Sequence, residues 1–260
     1  MAQVLGVHLL QTLDMIGSPR RSALARLDGS GALTGLELVS GDEEIVAAVE
    51  AAAVEIVVVD APLAVPADAG RRDAETVLAW CDVPAFPVSL RRLDRVHGGA
   101  RGVALAPSLA RSGRCVHETL PDLVLRQIAW ERAHPVGEPA LHLAEYRAAW
   151  LSVRAPAYRP KGIGRARRPG MEQAHALLAG ALELGGWAPG RGGDDWDAIH
   201  DAARLDALCC AYAALRLARG TAVVVGTPER GEIVVPADAN IGARVEATLE
   251  RLRSEGAIAI

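Results

Sequence analysis

Apolar and polar positions change period several times along the chain. Residues 3–10 form an apolar run, and two more at 22–28 and 32–39 are separated by Gly29-Ser30-Gly31. Two such runs around a glycine-rich turn predict a hairpin. Asp42-Glu43-Glu44 then opens an Ala-rich stretch to about Ala53, with acids at the end where the helix dipole favours them. Ile56-Val57-Val58-Val59 is a short β-branched run that stops at Asp60, and Pro62 bars its continuation. It predicts a buried central strand with a carboxylate at its C-terminal tip. Three strands, a helix and a fourth strand make a βββαβ order, and so an α/β sheet that mixes antiparallel and parallel pairs.

Further along, the pattern predicts a helix over Arg71–Trp80. Pro84, Phe86-Pro87 and Gly98-Gly99 then punctuate the rest of 66–112 as loop. Residues 114–119 read as a fifth short strand, and Pro121 starts a helix at its first position, where proline is tolerated. Helices are predicted at 121–133, 141–152, 171–184 and about 197–219. Thr221–Val225 and Glu232–Val235 form a closing β-hairpin, followed by a final helix over 241–254. With no internal repeat and no linker-like stretch, the 260 residues read as one domain.

Composition narrows the function classes. Half the residues are apolar and 23% are charged, ordinary values for an enzyme-sized domain. The net charge of −4 provides no global basic field, so a polyanion would need a local patch. Cys81, Cys115, Cys209 and Cys210 fit neither a zinc site nor a disulfide framework, and a reduced cytoplasmic chain is the expectation. The N-terminus lacks a basic leader region, and no apolar run reaches the roughly 18–20 residues that span a bilayer, so no membrane partner is expected.

Three acids stand where carboxylates are costly unless something positive meets them. Asp60 ends the fourth strand, where ligands collect in open α/β sheets. Glu118 ends the fifth, just before the helix that starts at Pro121. Asp206 interrupts a helix that is otherwise apolar and small from Leu205 to Ala214, apart from the Tyr212 hydroxyl. Asp201 lies about 140° away around that helix, and Asp194 and Asp195 precede it as candidate caps. Three such acids suit a hard cation, and two ions about 4 Å apart would clamp both oxygens of a phosphoryl transfer. Residues 154–168 carry six basic side chains and no acid, with Tyr158 the one aromatic and Lys161 the chain's one lysine. This loop suits phosphate contacts with Tyr158 as a stacking surface, and it is the expected route for any nucleic acid. No HExxH, GxSxG or P-loop pattern occurs.

The ordered set of motifs resembles the DUF429 family, predicted nucleases with a ribonuclease H-like fold. Asp60-Ala61-Pro62-Leu63 resembles its strand-end D-x-P element, Gly70-Arg71-Arg72-Asp73 the Arg/Asp element and Phe86-Pro87 the F-P that follows. Glu118-Thr119-Leu120-Pro121-Asp122 is similar to its E-x-h-P-E. Tyr158-Arg159-Pro160-Lys161 with Arg168 resembles its basic stretch, and Asp206-Ala207-Leu208 its D-A-h helix. The resemblance covers most of the chain. It implies a hydrolase of phosphodiester bonds in which Asp60, Glu118 and Asp206 hold Mg²⁺ or Mn²⁺. Arg72, Tyr158, Arg159, Lys161 and Arg168 would bind substrate.

The chain departs from the pattern at one tip. Where the family places an aspartate after the first strand, this chain has His8, which can ligate Mn²⁺ or a softer metal but brings no negative charge. Asp14 is too far along to share the site unless the first strand breaks early, and Ala202 and Ala203 stand where a further acid is usual. The primary expectation is a metal-dependent nuclease with His8 among the ligands. The alternative is a catalytically degenerate binding or scaffolding protein on the same fold. An actin-like phosphotransferase would need glycine-rich phosphate loops after the first strand, and Leu9-Leu10-Gln11-Thr12 does not supply one.

Overall fold

The computed structural model describes residues 3–9, 21–66, 71–83, 85, 87–134, 143–160, 167–190 and 194–258. Its elements begin with β1 (Val4–His8), β2 (Ser22–Leu27), β3 (Leu33–Val39), α1 (Asp42–Ala51) and β4 (Ile56–Val59). Then come α2 (Asp73–Trp80), α3 (Leu90–His97), α4 (Arg101–Leu109), β5 (Cys115–Glu118) and α5 (Pro121–Ala133). The remainder is α6 (Leu143–Ser152), α7 (Arg168–Ala179), α8 (Asp195–Ala218), β6 (Ala222–Thr227), β7 (Gly231–Pro236) and α9 (Ala239–Ser254).

These strands form one mixed sheet of seven in the order β3-β2-β1-β4-β5-β7-β6. β1, β2 and β3 are joined antiparallel, whereas β1, β4, β5 and β7 run parallel, and β6 closes the edge antiparallel to β7. The βββαβ order and the closing hairpin and helix read from the sequence are both present. Because β1, β4 and β5 run the same way, His8, Asp60 and Glu118 arrive at one edge of the sheet.

Side chains alternate between the two faces, as strand geometry requires. Val4 and Val58 pack with Val124 of α5, Leu178 of α7 and Leu208 of α8. Leu5, Val7, Val57 and Val59 pack on the other face with Ile45 and Val49 of α1 and Leu105 and Leu109 of α4. A third cluster gathers α2, α6 and α9 against Val225, Ile233 and Val235 of the closing hairpin.

α8 lies unusually close to β1. A Cβ on Gly6 would sit 2.1 Å from Ala211 N and 2.2 Å from Ala207 O, both backbone atoms. Only glycine on the strand and small residues on the helix allow that approach. Asp194 caps the start of α8 by accepting from Asp197 N at 2.9 Å, the cap role read from the sequence.

Between 84 and 112 the sequence reading needs correction. α3 and α4 occupy most of what the prolines and glycines had indicated as loop. Ser89 caps α3 by accepting from Arg92 N, and Gly98 ends it in the left-handed conformation, so these breakers bound helices instead of replacing them. Pro107 is accommodated inside α4. α7 starts at Arg168 and stops at Ala179, earlier at both ends than the pattern indicated. Among the described residues, no helix is long and apolar enough to cross a membrane.

Candidate functional site

Parity sets which strand-tip residues can meet. Gly6 and His8 share the face of β1 that looks toward α8. Val58 shares that face in β4, opposite Gly6 in the ladder, and Asp60 follows it two residues on. Asp60 N donates to Val7 O at 3.2 Å, carrying the parallel ladder past the end of β4. The tight seat of α8 on Gly6 then brings Asp206, one residue before the contacting Ala207, down onto these two tips.

The result is a compact cluster. One nitrogen of His8 and one carboxylate oxygen from each of Asp60 and Asp206 lie within 4.8 Å of one another. His8 Nδ1 is 2.6 Å from Asp60 Oδ2 and 3.6 Å from Asp206 Oδ2. Asp60 Oδ1 accepts from Leu9 N at 2.8 Å. Asp206 is held in a fork: Arg159 Nε donates to Oδ2 at 2.9 Å and Arg159 Nη2 to Oδ1 at 2.6 Å. The Tyr158 hydroxyl donates to the same Oδ1. Arg159 continues to Asp122 Oδ1 at 2.8 Å, tying the site to the first turn of α5.

Charge explains the protonation states. Burial alone pushes the His8 imidazole down, but the Asp60 charge and hydrogen bond and the Asp206 charge outweigh it, and the pKa is raised. Burial, together with the neighbouring Asp206 charge, pushes the Tyr158 phenol well above its ordinary range, so it stays a donor. Arg159 is raised, because Asp206 and Tyr158 outweigh the desolvation that burial imposes. Cys209 and Cys210 lie buried beneath the cluster and stay protonated, pushed up by burial and by the nearby carboxylates.

Glu118 does not join the cluster. It pairs in register with Val59, not with Val58, and so leaves the sheet on the face away from α8. There its Oε1 accepts from Leu63 N at 2.8 Å and from Arg72 Nη1 at 2.7 Å. Arg72 Nε donates in turn to Glu75 Oε1 at 2.9 Å, and Arg72 Nη1 also reaches Ala64 O at 3.0 Å. Arg72, Glu75 and Glu118 are all buried. This is an internal ion triad that locks β5, the turn after Asp60 and the start of α2. Burial raises the Glu118 pKa against the opposing pull of Arg72.

The other residues singled out by sequence divide in the same way. Arg72 lies inside the triad, with no surface to offer a phosphate. Tyr158 is buried under Asp206, so its ring is not an open stacking platform. Arg159 is partly exposed, but its fork is already committed. Arg168 donates to Gly190 O at the start of α7. Asp14, Phe86 and Lys161 lie outside the described residues. Two features went unread: the glycine inside an apolar strand, which signals close backbone approach, and the period-two parity that puts Asp60 and Glu118 on opposite faces.

The donor set decides which cation fits. Among the described residues it is one imidazole and two carboxylates, enough for one divalent ion. Imidazole nitrogen favours Mn²⁺ or a softer metal over Mg²⁺, which prefers oxygen alone. When His8 is protonated, it and Arg159 neutralise both carboxylates, and an ion has to displace the His8 proton.

Fold and site together define a mixed α/β protein with a His/Asp/Asp cluster at its strand tips. The chain belongs to the family described as "Protein of unknown function (DUF429)", whose model matches residues 13–230. That span takes in Asp60, Glu118 and Asp206 but begins after His8. No curated protein and no solved structure matches the chain.

Proposed function

We propose that this chain is a divalent-metal-dependent hydrolase of phosphodiester bonds in nucleic acid, built on a ribonuclease H-like core. The observation that carries this reading is the convergence of His8, Asp60 and Asp206 within 4.8 Å at the tips of two parallel strands and one buried helix. The central strand order β3-β2-β1-β4-β5, with its antiparallel first three strands, supports the fold assignment.

In this reading the three side chains hold one ion, with Mn²⁺ preferred to Mg²⁺. The ion supplies Lewis-acid polarisation of a phosphoryl oxygen and lowers the pKa of bound water. Leu9 N fixes the Asp60 carboxylate, while the Arg159 fork and the Tyr158 hydroxyl fix Asp206. The ligands are therefore oriented before any ion arrives, which is what a second shell of hydrogen bonds provides. Neutral His8 is the ligand form, so the imidazole releases its proton on loading. Glu118 acts through packing, holding the turn that follows Asp60.

A second reading is a binding protein without catalysis, favoured by the neutralisation of both carboxylates by His8 and Arg159. The two are separated by titrating Mn²⁺ into wild type and Asp60→Asn, then assaying cleavage of labelled DNA and RNA. Saturable binding and cleavage that are both lost in the variant support the hydrolase. Absence of Mn²⁺ binding at millimolar concentration overturns it in favour of the second reading.

A further inference from the structure

Next to the metal cluster runs a groove of about 430 Å³ between the start of α5, residues 153–160 and the entry to α7. Arg126, Arg154, Arg159 and Arg167 line it, and among the described residues Asp122 is its one acid. Asp122 is already paired with Arg159. Among the described residues, no carboxylate lies within salt-bridge distance of Arg126, Arg154 or Arg167. In a chain of net charge −4, three guanidinium groups in one groove with no ion pair among the described residues are out of keeping with the rest of the molecule.

Arg126 is the most unusual of them. It is 6% exposed, and its Nε is buried with no hydrogen-bond partner. Its Nη1 and Nη2 donate to backbone oxygens, Asp82 O and Trp150 O. The guanidinium stacks 4.4 Å from the Trp150 ring centre. Burial and the nearby Arg154 charge act against the charged form and outweigh the pull of Asp82, whose carboxylate is already paired with Arg147 and Arg244. The first turn of α7 opens at the same groove with no side-chain cap. The helix dipole favours an anion there.

We propose that this groove seats a backbone phosphate of an unpaired nucleic-acid strand, with the neighbouring phosphodiester presented to His8, Asp60 and Asp206. The proposal rests on the hydrolase reading and names its substrate class. Arg159 links the two places, since it both lines the groove and grips Asp206. The volume suits one nucleotide-sized unit, and pockets of a few hundred Å³ hold small ligands, not the side of a duplex. A phosphate must also descend to reach Arg126, which a flexible single strand permits.

The test is anisotropy binding of labelled 12-mers, single-stranded and duplex, across a salt series in EDTA, so that no metal and no cleavage are involved. Arg154→Gln/Arg167→Gln removes one exposed and one half-buried charge, neither of them in the apolar core. It is expected to weaken single-strand binding about tenfold and to flatten the log–log salt slope by about 0.7, the value for one lost phosphate contact. Arg91→Gln/Arg92→Gln, a charge-matched change on exposed α3 positions, is expected to leave the slope unchanged. Arg126→Gln is expected to weaken binding while the protein stays folded by circular dichroism. Equal binding by wild type and the Arg154/Arg167 variant overturns the proposal, as does tighter binding of duplex than of single strand. Competition by millimolar inorganic phosphate as effective as by the unlabelled 12-mer also overturns it, because the groove would then be a free-phosphate site. Metal-dependent cleavage with groove-independent binding would sink this inference and leave the hydrolase standing. Groove-dependent binding without cleavage would do the reverse.

Discussion

At the scale of residues, two acids that look equivalent in sequence differ in what surrounds them. Asp60 meets His8 and a backbone amide at a half-open tip, whereas Glu118 meets Arg72 inside the packing. Glu118→Gln is therefore expected to lower stability by about 3 kcal/mol, since it unbalances a buried ion triad. Urea unfolding measures that loss, and Mn²⁺ affinity should be retained in the folded variant. His8 sets the pH dependence. Its folded-state pKa is raised above 6.5, so its charged contacts stabilise the fold fully below that value and lose their contribution as pH climbs through the folded pKa. Metal loading runs the opposite way, because a proton must leave. Mn²⁺ affinity should rise by about tenfold per pH unit below the folded pKa and level off above it, as calorimetry across pH 5 to 8 would record. Asp60 and Asp206 were both legible in sequence, each a lone acid in an apolar setting. The partnership assigned to Glu118 was not, because it turns on a one-residue parity between neighbouring strands that only the ladder register fixes.

At the scale of elements, the site depends on how closely α8 lies on β1. Gly6→Ala places a methyl group within 2.2 Å of two backbone atoms of α8, and neither helix nor strand can give way locally. A loss of about 3 kcal/mol is expected, together with weaker Mn²⁺ binding as Asp206 is lifted away from His8. Gly41→Ala, which meets nothing within 4 Å, is the control. Chemical denaturation of both variants checks the pair. Most elements were readable because their periodicity is strong, including α5 and α8 almost to the residue. α3 and α4 were hidden because Phe86-Pro87 and Gly98-Gly99 mark boundaries as readily as they mark loops. Sequence pattern alone does not separate a breaker that ends a helix from one that replaces it.

At the scale of the whole molecule, an acidic chain keeps a basic groove beside an acidic cluster. Segment 154–168 reads in the sequence as a run of like charge, yet its described members act separately. Arg159 serves the carboxylate, while Arg154 and Arg167 line the groove together with Arg126 from α5. No local sequence feature announced Arg126, whose role exists only because α5 and the segment after α6 pack together. An ion held by three distant elements should stabilise the fold by linkage. Mn²⁺ at about a hundred times its dissociation constant contributes about 2.7 kcal/mol. That corresponds to a rise in melting temperature of several degrees, about 5–10 °C for a chain of this size. Differential scanning fluorimetry with and without Mn²⁺ should record the rise in wild type and its loss in Asp60→Asn.

The seat of α8 on Gly6 also governs when the site comes into being. β1 lies near one end of the sequence and α8 near the other, so their contact closes one of the longest loops in the chain. Such non-local pairings form late and slowly, because loop-closure entropy must be met before the contacts return anything. The early strands can pair as hairpins long before the helix arrives, but His8 and Asp60 then face solvent with no third partner. Metal affinity thus serves as a timer for refolding: it should appear only with the last kinetic phase, after most of the sheet has already formed.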